Sequence, residues 1–173
     1  MDRQAQPRRP PLTFDVPSAL VELLYARTAW GLAVVPELPA ATPAPTPARG
    51  PRDALRRWQA RYEEVTAELG DARISPPGWL FELAKCGEID LDVVRQAHHE
   101  LRTAVVDVFM PDREHGPRIH RRGEALEHTP VELVVVLPVV GDYHAHPSVR
   151  VLVTSLQTFL DDDAWARAVA AHV

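Results

Sequence analysis

Thr129-Pro-Val-Glu-Leu-Val-Val-Val-Leu-Pro-Val-Val140 is the stretch on which the fold turns. Thr129, Pro130 and Glu132 have the form of a helix-opening capping box with proline at the first helical position. The run Val134-Val-Val136 argues the other way, because β-branched side chains suit a pleated strand, and Pro138 would interrupt any helix that tried to continue. The stretch is ambiguous between helix and strand, and the β-branched run tips the reading towards strand. Directly after it comes Gly141-Asp-Tyr-His144-Ala-His146-Pro147, in which an extended backbone would turn His144 and His146 to one face.

Helical spacing dominates the rest of the chain. Leu20, Leu23, Leu24 and Trp30 share one face of a helix beginning near Pro17 and Ser18. Leu55, Trp58, Tyr62, Val65 and Leu69 recur at intervals of three and four, with Gly70 at the C-terminal cap position. A short helix is expected over 77–86, and a longer one from Asp90 to Pro111 with Val94, His98, Leu101, Val105 and Val108 on one stripe. Residues 111–128 are polar and read as a solvated connection. From Pro147, the stripe Val149, Leu152, Val153, Leu156, Phe159 and Leu160 predicts another helix, followed by a terminal helix capped within Asp161–Asp163 and carrying Trp165 and Val169. The expected class is therefore mainly α with a small β component (α+β): a helical domain with one or two short strands. Its expected parts are a disordered arm at 1–11, an N-terminal helix within 12–35, a Pro/Ala-rich linker at 36–51, and a helical main domain at 52–173.

Composition limits the functions. A chain of 173 residues can bury a core without staples, and a single cysteine, Cys86, cannot form an intramolecular bridge. No apolar run approaches the ~20 residues that cross a bilayer, so a soluble cytoplasmic protein with no membrane partner is expected. The net charge of −5, with Lys85 the single lysine, makes nucleic acid an unlikely partner.

All eight histidines lie between His98 and His172, which raises the question of zinc. His98 falls on an apolar stripe and reads as a core histidine, while His172 stands at a helix end where positive charge suits the dipole. The segment 141–147 resembles the His-x-His-Pro element of JAMM-type zinc isopeptidases. That resemblance implies His144, His146 and Asp161 as metal ligands, Glu100 as general base, and Thr158 where the family has an oxyanion-stabilising serine. The chain departs from the pattern at Thr103, where the family has glycine, and in a longer interval between His146 and Asp161.

A second resemblance covers more of the chain. Leu12-Thr-Phe-Asp-Val16, Ser18-Ala-Leu-Val-Glu-Leu-Leu-Tyr25, Trp79-Leu-Phe81, Val108-Phe-Met-Pro111, Pro117-Arg-Ile119 and the valine strand are similar to the effector-sensing region of ArsR-type winged-helix regulators. No helix-turn-helix accompanies them, so the resemblance implies a sensor without a DNA reader. The favoured expectation is a non-enzymatic regulatory or interaction module, binding a small molecule or protein partner through apolar helices, with Trp58, Tyr62, Trp79 and Phe81 as ligand-binding residues and no cofactor. A homodimer fits a tethered first helix. The alternative is a zinc-dependent hydrolase of isopeptidase or amidase type.

Overall fold

The structure, a computed structural model, describes residues 11–34, 37–72, 99 and 116–172. Four strands form one mixed sheet: β1 (Thr13–Asp15), β2 (Leu133–Leu137), β3 (His144–Ser148) and β4 (Val151–Ser155). Five helices accompany them among the described residues: α1 (Ser18–Trp30), α2 (Ala54–Gly70), α3 (Gly116–Ala125), α4 (Leu156–Leu160) and α5 (Asp162–Ala170). The strand order is β1-β2-β4-β3, with β1, β2 and β4 parallel and β3 antiparallel at one edge.

The expectation of a mainly helical domain with one or two strands is thus corrected: a four-stranded sheet is the centre of the molecule. The physical reason lies in β4. Val151-Leu-Val-Thr-Ser155 is buried along its whole length. A strand covered on both faces loses the polar alternation that identifies strands, and its apolar run fits a helical stripe equally well. The stripe from Val149 to Leu160 is in fact a hairpin strand followed by the short helix α4, and Val149, 68 % exposed, lies in the hairpin turn. The expected strand at Val134–Val136 is present and extends over Leu133–Leu137.

Both faces of β2 and β4 carry a layer. Leu133, Val135, Leu137, Val151 and Val153 pack with Leu20, Leu23 and Leu24 of α1 and with Trp58, Val65 and Leu69 of α2. Val134, Val136 and Leu152 face the other way, into Phe159 of α4 and Trp165 and Ala168 of α5. Strand β1 and helix α1 belong to this core, so the first helix docks on its own sheet. The Pro/Ala tract joins it there as well, since Ala41 bridges Val139 and Thr42 N–H donates to the Pro138 carbonyl at 2.8 Å.

Residues 116–125, expected as part of a solvated connection, form helix α3. Its Arg122 is buried: Nε donates to the Phe159 carbonyl at 2.9 Å, Nη2 to Asp162 Oδ1 at 2.7 Å, and the guanidinium lies 5.4 Å from the Trp165 ring centre. These contacts tie α3 to the two C-terminal helices, which a reading of Arg122 as surface charge could not anticipate.

One buried group works against the core. Glu22 in α1 is 5 % exposed, and its Oε2 has no hydrogen-bond partner among the described residues. Burial pushes its pKa up from 4.5 to about 7. The folded state therefore holds a proton that the unfolded chain releases, and stability is lost as pH rises from the unfolded value through the folded one. A shift of that size corresponds to about 3 kcal/mol. Denaturant melts of the wild type between pH ~4.5 and ~8 should show this loss, and Glu22→Gln should remove most of the slope. An unchanged slope in the variant would rule Glu22 out as its source.

Candidate functional site

Among the described residues, polar side chains gather at the carboxyl ends of β2 and β4 and on the outer side of the β3–β4 hairpin.

At the first, the segment after β2 must pass the end of β4 to reach the edge strand β3. Gly141 makes that turn with φ +79°, a left-handed conformation that side chains disfavour. The crossing is held by hydroxyls. Ser155 Oγ donates to the Gly141 carbonyl at 2.7 Å and accepts from Thr158 N–H at 3.0 Å, capping α4. Thr158 Oγ1 accepts from Tyr143 N–H at 3.0 Å and donates to Asp142 Oδ1 at 2.8 Å. The other oxygen of Asp142 accepts from Arg167 of α5 at 2.6 Å. Arg167, then Thr158, hold the Asp142 carboxyl below the usual range. Each hydroxyl in this cluster is engaged with backbone or carboxylate, so none is poised as a nucleophile.

Beside the crossing lies an open depression of about 690 Å³, lined by Thr42, Val139, Val140, Gly141, Leu156, Gln157, Leu160 and Asp161. Its walls are mostly aliphatic, and Val140 is half exposed within it. Asp161 Oδ1 accepts from Ala164 N–H at 2.7 Å and so caps α5, as the sequence suggested for Asp161–Asp163.

At the second place, the alternation read from the sequence holds: His144 and His146 lie on β3 with ring centres 5.8 Å apart. The third participant is His172, just beyond α5. Its Nδ1 lies 2.6 Å from Nδ1 of His146, and its Nε2 lies 2.8 Å from the Val149 carbonyl oxygen. A carbonyl only accepts, so Nε2 of His172 carries hydrogen; a neutral His172 then has a lone pair on Nδ1, and His146 Nδ1–H donates to it. His146 Nε2 is left buried without a hydrogen-bond partner among the described residues. Burial first, then the charges of His172 and His144, lower the His146 pKa.

This arrangement differs from a zinc site. Two nitrogen ligands of one tetrahedral zinc stand ~3.3 Å apart, given zinc–nitrogen bonds of ~2.0–2.1 Å. The 2.6 Å separation is that of a hydrogen bond. Among the described residues no group of three His, Cys, Asp or Glu side chains could hold a metal ion, and Asp161 caps a helix away from the imidazoles. Glu100 lies outside the described residues.

The aromatic candidates separate in the same way. Trp79 and Phe81 lie outside the described residues. Trp58 is a core side chain, 1 % exposed, whose Nε1–H donates to the Leu23 carbonyl at 2.7 Å, and it stacks on half-buried Tyr62 with ring centres 4.8 Å apart. The void beside Tyr62, Leu24, Tyr143 and Val153 is about 40 Å³, room for a water or two and not for a ligand. Burial, then Tyr62, pushes the Tyr143 phenol up to about 12, so it stays neutral. Tyr143, Thr158 and His172 are the participants that sequence reasoning missed as partners; only the small polar residues after a buried strand hinted at the first two.

Compared with known proteins, the chain matches no protein-family model, no curated protein and no solved structure. Among the described residues no helix is long and apolar enough to cross a membrane.

Thr158→Val keeps shape but removes the hydroxyl shared by Tyr143 N–H and Asp142. Stability should fall by about 1–3 kcal/mol in denaturant titration, the usual cost of stranded polar partners. A loss below about 0.5 kcal/mol would mean that water replaces the hydroxyl and that the crossing is held elsewhere.

Proposed function

We propose that the chain is a binding module for a small, largely aliphatic or aromatic molecule, without catalytic chemistry of its own, and that the ligand sits in the depression at the carboxyl ends of β2 and β4. The observation that carries this reading is the depression itself. Its volume of about 690 Å³ falls in the range of small-molecule sites, roughly 300–1,000 Å³. Its position is where open sheets with parallel strands hold ligands, outside the strand carboxyl ends. Its lining supplies apolar area from Val139, Val140, Leu156 and Leu160, with Gln157, Thr42 and Asp161 as polar groups that can orient a guest.

This reading keeps the non-enzymatic binding role expected from the sequence and moves the site. The apolar faces of α1 and α2 are occupied by each other and by the sheet, so they offer no open groove there. The hydroxyls of Ser155 and Thr158 and the Asp142 carboxylate beside the depression serve the β2–β3 crossing, and Asp161 in its lining caps α5, which argues against acid–base or nucleophilic work.

The test is a set of aromatic and alicyclic fragments titrated into labelled protein. Binders should shift the amides of 139–141 and 156–161, and Val140→Glu, at a half-exposed position, should weaken them ~10-fold or more, equivalent to about 1.4 kcal/mol, without lowering the melting temperature. Binders that leave those amides unmoved, or that tolerate the glutamate, would place the site elsewhere.

A further inference from the structure

We propose that His146 and His172 form an acid-released latch, which fastens the end of α5 to the β3–β4 hairpin when the pair holds at most one extra proton and lets go when it holds two. The latch does not depend on what occupies the depression.

The geometry fixes the logic. His172 donates through Nε2 to the Val149 carbonyl, in the turn between β3 and β4. The contact between the two Nδ1 atoms, 2.6 Å long, needs a hydrogen on one and a lone pair on the other. With both rings neutral, His146 donates. With one proton added, His172 can carry it and donate to His146, and the bond becomes charge-assisted. With two added protons both Nδ1 atoms bear hydrogen, the lone pair is gone, and two cations face each other with ring centres 4.6 Å apart.

The surroundings favour release over rescue. From β3 the pair faces a third imidazole, His144, whose ring centre lies 5.8 Å from that of His146. In the hairpin turn Arg150 binds Glu132, with Asp71 from beyond α2 also near Arg150. On α5 Arg167 binds Asp142. Glu132 and Asp142 thus already face arginines. Burial first, then the charges of His172 and His144, hold His146 below the ordinary histidine value, so a proton on it belongs to acid conditions.

Release is local. Trp165, Ala168 and Val169 keep α5 packed in the core, while the turn at 171–172 depends on the latch for its tie to the hairpin.

Backbone order parameters of 171–172 at pH ~7.5 and ~5 test the latch on the full chain. We expect values near ~0.8 at the higher pH falling below ~0.6 at the lower, and low values at both for His172→Ala, with Trp165 and Ala168 unchanged throughout as the control for folding. His146→Phe, which keeps a ring at that position and removes Nδ1 both as donor and as acceptor, should match His172→Ala. Wild-type values equal at the two pH values, or a variant as ordered as the wild type at pH ~7.5, would overturn the proposal.

Discussion

Two five-residue strands, β2 and β4, are buried on both faces, and the rest of the molecule follows from that constraint. Their backbone hydrogen bonds go mainly to neighbouring strands, in register from Leu133↔Val151 to Leu137↔Ser155. Their side chains, alternating in direction, need apolar cover on two sides. α1 and α2 supply one layer and α4 and α5 the other. β1 extends the pair on one edge in parallel register, while β3 closes the other edge with an irregular ladder between Ala145 and Ser148. Pro147 falls in that irregular part of an edge strand, where a missing N–H costs least.

The order of the strands then creates the polar architecture. Chain leaving β2 has to pass over the end of its neighbour β4 before running back down the edge. That passage brings Gly141, Asp142 and Tyr143 onto Ser155 and Thr158, and it leaves an aliphatic depression between the passage and α4. The hairpin that returns the chain to β4 presents His146 to the end of α5. Both candidate sites are therefore consequences of one topological step.

What could be read from the sequence depended on how far each signal was local. Val134–Val136 announced β2 through β-branching, Leu55 to Leu69 announced α2 through spacing, and the alternation of His144 and His146 placed both imidazoles on one face. β4 was concealed because full burial erases alternation, and β1 because three residues carry no period. α3 was concealed by its polarity, since its buried contact is made by an arginine and not by an apolar stripe. The site was less legible than the fold. His172 meets His146 across 26 residues, and Ser155 and Thr158 meet Asp142 and Tyr143 only after the crossover, so no spacing rule relates them. Trp58 and Tyr62 show the converse: aromatic residues that look like a binding surface in sequence stack on each other within the α1–α2 layer.

Residues 147–160 are the end of an edge strand, a turn, a central strand and a short helix, and not one helix. Backbone carbon chemical shifts across this segment, with cross-strand contacts between Val135 and Val153, measure this arrangement most directly. Extended shifts are expected over Val151–Ser155, helical shifts beginning at Leu156, and a close approach of the Val135 and Val153 backbones as register partners. Continuous helical shifts from Ser148 to Leu160 would contradict this arrangement, and with it both the crossover and the sites built on it.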